Sequence, residues 1–151
     1  MRKLEIVAVG KGERELLTIE NHYLKQIKSF QLSISEVRPA NLDCHREAQD
    51  ILKRIEQLGG KECYVVTLAE SGKCYDSKKF SSWLFNLISS GSAPLCFVLG
   101  GAAGHGDQVI ERADQSLSLS PLTFPHKLAR LLLIEQLYRA GTIQQGHPYH
   151  K

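Results

Sequence analysis

The stretch Leu95-Cys96-Phe97-Val98-Leu99-Gly100-Gly101-Ala102-Ala103-Gly104-His105-Gly106 joins an unbroken apolar run to a glycine-rich turn. An apolar run without alternation suits a strand at the centre of a parallel sheet that is covered on both faces. Glycines directly after such a strand let backbone N–H groups approach a ligand closely. They stand at the carboxyl end of the sheet, where ligands of open α/β folds gather.

Working outward from this turn, strand and helix patterns alternate. Upstream, Leu4 to Gly10 reads as a buried strand and Glu13 to Ser29 as a helix with Leu16, Tyr23, Leu24 and Ile27 on its apolar side. Leu32, Ile34 and Val37 mark a second strand closed by Pro39. Ala48, Ile51, Leu52, Ile55 and Leu58 then trace a helix ended by Gly59-Gly60. Cys63 to Ala69 reads as a third strand and Ser71-Gly72-Lys73 as a turn. Asp76 or Ser77 caps a helix carrying Phe80, Trp83, Leu84, Leu87 and Ile88. Downstream come a short helix from Asp107 to Ala113, alternating leucines over Ser116 to Ser120, and a long helix opened by Pro125. The pattern predicts one α/β domain over residues 1–151, with a largely parallel sheet and helices on both faces. In the last helix Leu128, Leu131, Leu132, Leu133, Ile134, Leu137 and Tyr138 spread over more than one face, which predicts packing on both its own sheet and another subunit.

The 151 residues, 42% hydrophobic and 23% charged, suit one ordinary globular domain. A net charge of +3 leans only weakly toward polyanions, but the end is locally basic. Lys127, Arg130, Arg139, Lys151 and three histidines face the single acid Glu135 from His126 onward. The apolar run at Ile6 to Val9 is too short for a signal peptide or a membrane span. Cys44, Cys63, Cys74 and Cys96 form no C-x-x-C pair, which fits free thiols in the cytoplasm.

Several templates fail. A dinucleotide fingerprint read from Gly104 needs glycine where Val109 stands, and no Gly-Lys-Ser or Gly-Lys-Thr triplet makes a phosphate loop. Neither a G-x-S-x-G elbow nor an H-E-x-x-H helix is present. A tight turn that binds nothing is the plain alternative for the glycines.

Two further segments bear on chemistry. Leu117-Ser118-Leu119-Ser120-Pro121-Leu122-Thr123-Phe124-Pro125-His126 interleaves small polar and apolar residues, offering an apolar wall for a flat ring and backbone groups for its edge nitrogens. Its plain alternative is a strand edge and helix entry, with the Thr123 hydroxyl at or near the cap. The ending His147-Pro148-Tyr149-His150-Lys151 places two groups that titrate near neutral pH beside a lysine. His147 and His150 lack a cysteine or acidic partner at a recognised metal-ligand spacing, so no metal site is expected.

Taken together, Val7-Ala8-Val9-Gly10, Leu99-Gly100-Gly101, the loop to Pro125-His126, Glu135-Gln136-Leu137-Tyr138-Arg139-Ala140 and His147-Pro148-Tyr149-His150 resemble the ribosomal RNA large subunit methyltransferase H family of the SPOUT superfamily, essentially end to end. The resemblance implies a homodimeric enzyme with a carboxyl-terminal trefoil knot. It would use S-adenosyl-L-methionine to methylate N3 of a pseudouridine in helix 69 of 23S rRNA on assembled ribosomes, in the cytoplasm, with neither DNA nor a membrane as partner. Carried over, its cofactor site falls on Leu68, Gly100 and the loop Leu119, Ser120, Pro121, Leu122, Thr123 and Phe124. Many relatives have a proline and an acid where this chain has Ala102 and Ala103, and a final arginine where it has Lys151. The lysine keeps the charge but loses the bidentate fork.

N3 of a pseudouridine must shed its proton before attacking a methyl group. His150 or His126 is expected to assist that deprotonation. Arg139 and Lys151 are expected to stabilise negative charge and hold phosphate, and Tyr149 to stack on a base. The electrophile is already a sulfonium, so no metal is called for. Glu135 stands one helical turn from Arg139 and is expected to pair with it. Competing readings are a knotted methyltransferase acting on tRNA and a ribosome-binding assembly factor without catalysis.

Overall fold

A computed structural model describes residues 2–151. Five strands, β1 (Lys3–Val9), β2 (Gln31–Val37), β3 (Tyr64–Cys74), β4 (Leu95–Leu99) and β5 (Gln115–Ser118), form one sheet in the order β2-β1-β4-β3-β5. Every pairing is parallel. The helices are α1 (Leu17–Gln26), α2 (Cys44–Leu58), α3 (Ser77–Ser89), α4 (Asp107–Arg112) and α5 (His126–Gln144).

Period-two alternation explains why the central strands contain almost no polar residues. Leu4, Ile6 and Ala8 of β1 and Leu95, Phe97 and Leu99 of β4 join a core with Phe80 and Leu84 of α3 and Leu133, Ile134 and Leu137 of α5. Val7, Val9, Cys96 and Val98 point the other way, against Ala48, Ile51 and Ile55 of α2 and Val109 of α4. The sheet is therefore covered on both faces, as the unbroken run at Leu95 to Leu99 predicts. Glu5 is the buried polar residue of β1; it is held by Arg54 at 2.9 Å and by the Ser35 hydroxyl.

Side-chain caps set two helix starts. The Asp43 carboxylate accepts from the Arg46 N–H at 3.1 Å, and the Asp76 carboxylate from the Lys79 N–H at 2.8 Å. Of the two candidates at the third helix, Asp76 is the cap. Thr123 caps nothing: α5 begins at His126, Pro125 holds the cap position, and no side-chain hydrogen bond is made there. A helix entry through proline fixes φ without needing a hydroxyl acceptor.

The turn expected at Ser71-Gly72-Lys73 is instead part of β3. Leu117 of β5 pairs with both Leu68 and Lys73, so the intervening residues bulge out of the sheet and the strand then resumes to Cys74. Gly72 permits this return: a Cβ there would lie 2.7 Å from the Ser116 and Leu117 carbonyl carbons, closer than any side chain is tolerated. Glycine inside a strand pattern is a bulge signal as well as a turn signal.

Candidate functional site

The carboxyl ends of β3, β4 and β5 open into a cleft of about 970 Å³. Its floor is Leu99, Gly100 and Gly101; one wall is the β3 bulge, Leu68 to Ser71; another is Ile110 and Ala113. Pro121, Phe124, His126 and Ala129 close it from the side of the β5–α5 loop. Leu119, Ser120 and Leu122 line a smaller recess of about 90 Å³ that shares Leu68 and Phe124 with this cleft. The Leu122 N–H donates to the Ser120 hydroxyl at 3.1 Å, which bends the loop back on itself.

The fold thus brings Leu68, Gly100, Pro121, Phe124 and His126 to the cleft, and Leu119, Ser120 and Leu122 to the recess beside it, although they lie on three separate segments of the chain. Thr123 lines neither space. Residues over which the sequence pattern passes also contribute: Ala69 to Ser71, Ile110 and Asp114 to Ser116. The interior glycine at Gly72 was the available signal for the first group. The Asp114 carboxylate accepts from the Val65 N–H at 2.8 Å and from Arg112 at 3.3 Å, so it is already engaged. Glu70, by contrast, is an exposed carboxylate on the rim.

His105 crosses from the glycine turn to β3, where its Nε2 lies 2.7 Å from the Leu68 carbonyl oxygen. A carbonyl only accepts, so Nε2 carries the proton. Burial drives the His105 pKa below its ordinary 6.5, against the opposing effect of that hydrogen bond, and keeps the ring neutral.

The carboxyl-terminal residues assemble elsewhere. Arg139 donates to Glu135 through Nε at 3.0 Å and Nη2 at 2.7 Å, the pair that their spacing predicts. Its Nη1 lies 3.0 Å from His150 Nδ1, which must accept. The Tyr149 hydroxyl donates to Glu135 at 2.9 Å and lies 3.3 Å from the Tyr23 hydroxyl. Its ring packs edge-on against Tyr138 at 4.8 Å, with the Arg139 guanidinium 4.7 Å from its centroid. Burial, together with the Tyr23 and Glu135 contacts, pushes the Tyr149 phenol up, so it remains a proton donor. Lys151 is exposed.

Arg139, Tyr149 and His150 therefore form one cluster, while His126 stands at the opposite end of α5. The thirteen-residue rise from His126 to Arg139 is about 20 Å. Arg130, counted with the basic end of the sequence, is unavailable to phosphate. It is buried and paired with Glu20 at 3.1 Å and Glu36 at 2.7 Å.

Comparison with known proteins gives the family. Residues 2–150 match the family model described as "Predicted SPOUT methyltransferase". Proteins named ribosomal RNA large subunit methyltransferase H are similar along nearly their whole length. The one from Enterococcus faecalis is 39% identical, with 99% of each chain covered. That from Acholeplasma laidlawii is 36% identical, also with 99% of each covered. The Clostridioides difficile protein is 36% identical, covering 98% of this chain and 99% of its own. With a parallel sheet, a cleft at its carboxyl edge and matches spanning essentially all residues, the chain belongs to the SPOUT methyltransferase family.

Proposed function

We propose that this protein uses S-adenosyl-L-methionine to methylate N3 of a pseudouridine in helix 69 of 23S rRNA, on assembled ribosomes in the cytoplasm, as a homodimer. The observation that carries the reading is the convergence of Leu68, Gly100, Pro121 and Phe124 on one cleft at the carboxyl edge of the sheet, with Leu119, Ser120 and Leu122 on the recess beside it. The cleft suits a nucleoside carrying an amino-acid chain. Its volume lies at the upper end of small-molecule sites. Phe124, Ile110 and Leu68 offer apolar surface for a purine, and the Glu70 carboxylate matches a cationic ligand. Bound there, the cofactor would supply an electrophilic methyl group on a sulfonium.

The remaining work falls to the protein. His126, on the cleft wall, can take the N3 proton of the substrate base. His150 is the other candidate, and Arg139 with Lys151 would hold phosphate or the developing negative charge. Tyr149 would stack on a base once it leaves its place beside Tyr138. The distance along α5 separates these tail groups from the cleft of their own chain, which favours a site completed by the tail of a second copy. Leu128, Leu131 and Leu132 of α5 are only partly buried, a surface suited to that copy. The carboxyl-terminal trefoil knot implied by the family is compatible with a loop that closes the cleft before α5. Among the described residues no helix is long and apolar enough to cross a membrane.

Labelled methyl transfer to intact ribosomes, separate subunits, free rRNA and tRNA from cells lacking the protein tests the reading. Label at the helix 69 pseudouridine of intact ribosomes is the expected result. Label confined to tRNA, or ribosome binding without transfer, would overturn it.

A further inference from the structure

Among the described residues, four buried side-chain polar atoms have no hydrogen-bond partner: Glu20 Oε2, Glu47 Oε1, His105 Nδ1 and Ser118 Oγ. Of these residues only His105 lines the large cleft. Donation of Nε2–H to the Leu68 carbonyl leaves Nδ1 as a bare lone pair that can only accept. That bond also fixes the ring in place, so Nδ1 cannot turn away to find solvent. Nδ1 faces Gly100 on the cleft floor: a Cβ built there would come within 3.2 Å of it. Glycine at this position keeps a side chain from filling the space beside the nitrogen. An oriented acceptor without a donor is costly in a buried setting, and a ligand group that supplies the donor recovers that cost.

We propose that His105 is a cofactor-binding residue whose Nδ1 accepts a hydrogen bond from a hydroxyl or amino donor on the nucleoside part of the ligand in this cleft. The inference rests on the cleft being the cofactor site. Two hydrogen bonds on one ring would then join the end of β3, the glycine turn and the ligand, so that ligand binding and the shape of the β3 bulge are coupled. In chemical terms, the purine 6-amino group and the ribose hydroxyls are the two sources of such a donor.

Two substitutions separate the two ring nitrogens. Glutamine places an amide donor near the position of Nε2 and has no acceptor at Nδ1, so His105→Gln keeps the link to Leu68. Asparagine places its carbonyl near Nδ1 and loses that link. S-adenosylhomocysteine binding would be measured by calorimetry for the wild type and both variants, with thermal unfolding as the folding check. His105→Gln is expected to weaken binding by about tenfold, the worth of one buried hydrogen bond. His105→Asn is expected to stay within about threefold of the wild type by the same reasoning. Repeating the titrations with S-inosylhomocysteine and with a 2′-deoxyribose analogue identifies the donor: whichever removes the gap between wild type and His105→Gln lacks the group that Nδ1 contacts.

Equal affinity of wild type and His105→Gln, as expected if a trapped water satisfies Nδ1, would overturn the inference while leaving the cofactor site standing. Weak binding by His105→Asn alone would do the same, because the ring would then act only through Leu68. Failure of the wild type to bind S-adenosylhomocysteine would remove the cofactor site and the inference together.

Discussion

The cleft and the carboxyl-terminal cluster stand toward opposite ends of α5, and they differ in how their polar groups are satisfied. Around the tail, the Arg139 guanidinium, the Glu135 carboxylate, the Tyr149 hydroxyl and the His150 ring are bonded to one another. Around the cleft, His105 Nδ1 has no partner, Glu70 is exposed and an apolar wall faces open space. A buried polar group without a partner marks a place that another molecule can complete. A closed cluster has to be opened before its groups can meet a substrate. The cleft thus presents a preformed open space, whereas the tail groups are closed against their own chain.

The largest effect is expected where the two regions are held in common. Arg130 anchors the first half of α5 to α1 and β2 through Glu20, which is almost fully buried, and through Glu36. The Arg130 hydrogen bond, aided by that of the Gly12 N–H, holds the Glu36 carboxyl below its usual range, whereas burial raises that of Glu20 despite the same arginine. Arg130→Met strands a buried carboxyl and should cost about 3–5 kcal/mol in urea unfolding. A loss under 1 kcal/mol would mean that α5 is held by its apolar contacts alone.

Removing Tyr149 to Lys151 tests the division directly. Methyl transfer to ribosomes should fall by at least about 10²-fold, the usual contribution of a positioned acid or base, while S-adenosylhomocysteine binding is retained. Full activity without these residues would erase the distinction between the two regions.

On the cleft side, Gly100→Ala places a Cβ 2.8 Å from the Gly104 carbonyl oxygen and 3.2 Å from His105 Nδ1. It should destabilise by about 1–3 kcal/mol through overpacking and weaken ligand binding as well. On the tail side, Tyr149→Phe removes one hydrogen bond to Glu135 and should lower stability by about 1 kcal/mol without affecting ligand binding. Calorimetric titration beside thermal unfolding distinguishes the two patterns.

The smallest effect is a pH dependence carried by His105. Burial lowers its folded pKa below the ordinary 6.5, so the unfolded chain binds the proton more readily. The contribution of this residue to stability is complete above about pH 6.5 and is lost as pH falls through that value toward the folded pKa. The melting temperature of the wild type should therefore decline more steeply below pH 6.5 than that of His105→Gln. Parallel melting curves would place the ring in a more solvated setting than its contacts indicate.

Much of the fold was legible in local pattern. The run at Leu95 to Leu99 announced a central strand because both of its faces had to be apolar, and the helix spacing around Ile51 and Ile55 announced one covering layer. Asp76 and Ser77 were both legible as caps because either side chain can accept from a first-turn N–H, and the fold chooses Asp76. The end of β3 is ambiguous in sequence because glycine serves both turns and bulges. Only its pairing with Leu117 on a strand more than forty residues later decides between them. Thr123 is no cap, since Pro125 starts the helix without a hydroxyl.

The sequence by itself determined the strand–helix alternation, the glycine turn and the family resemblance, because all three depend on residue type and short spacing. Tertiary structure alone decided which groups remain unsatisfied. Hydrogen bonding is settled by partners distant in the chain: Leu68 binds one nitrogen of His105 and leaves the other bare, and Glu135 with His150 occupies Arg139. No spacing rule states that outcome, and it is the outcome that separates a waiting site from a closed one.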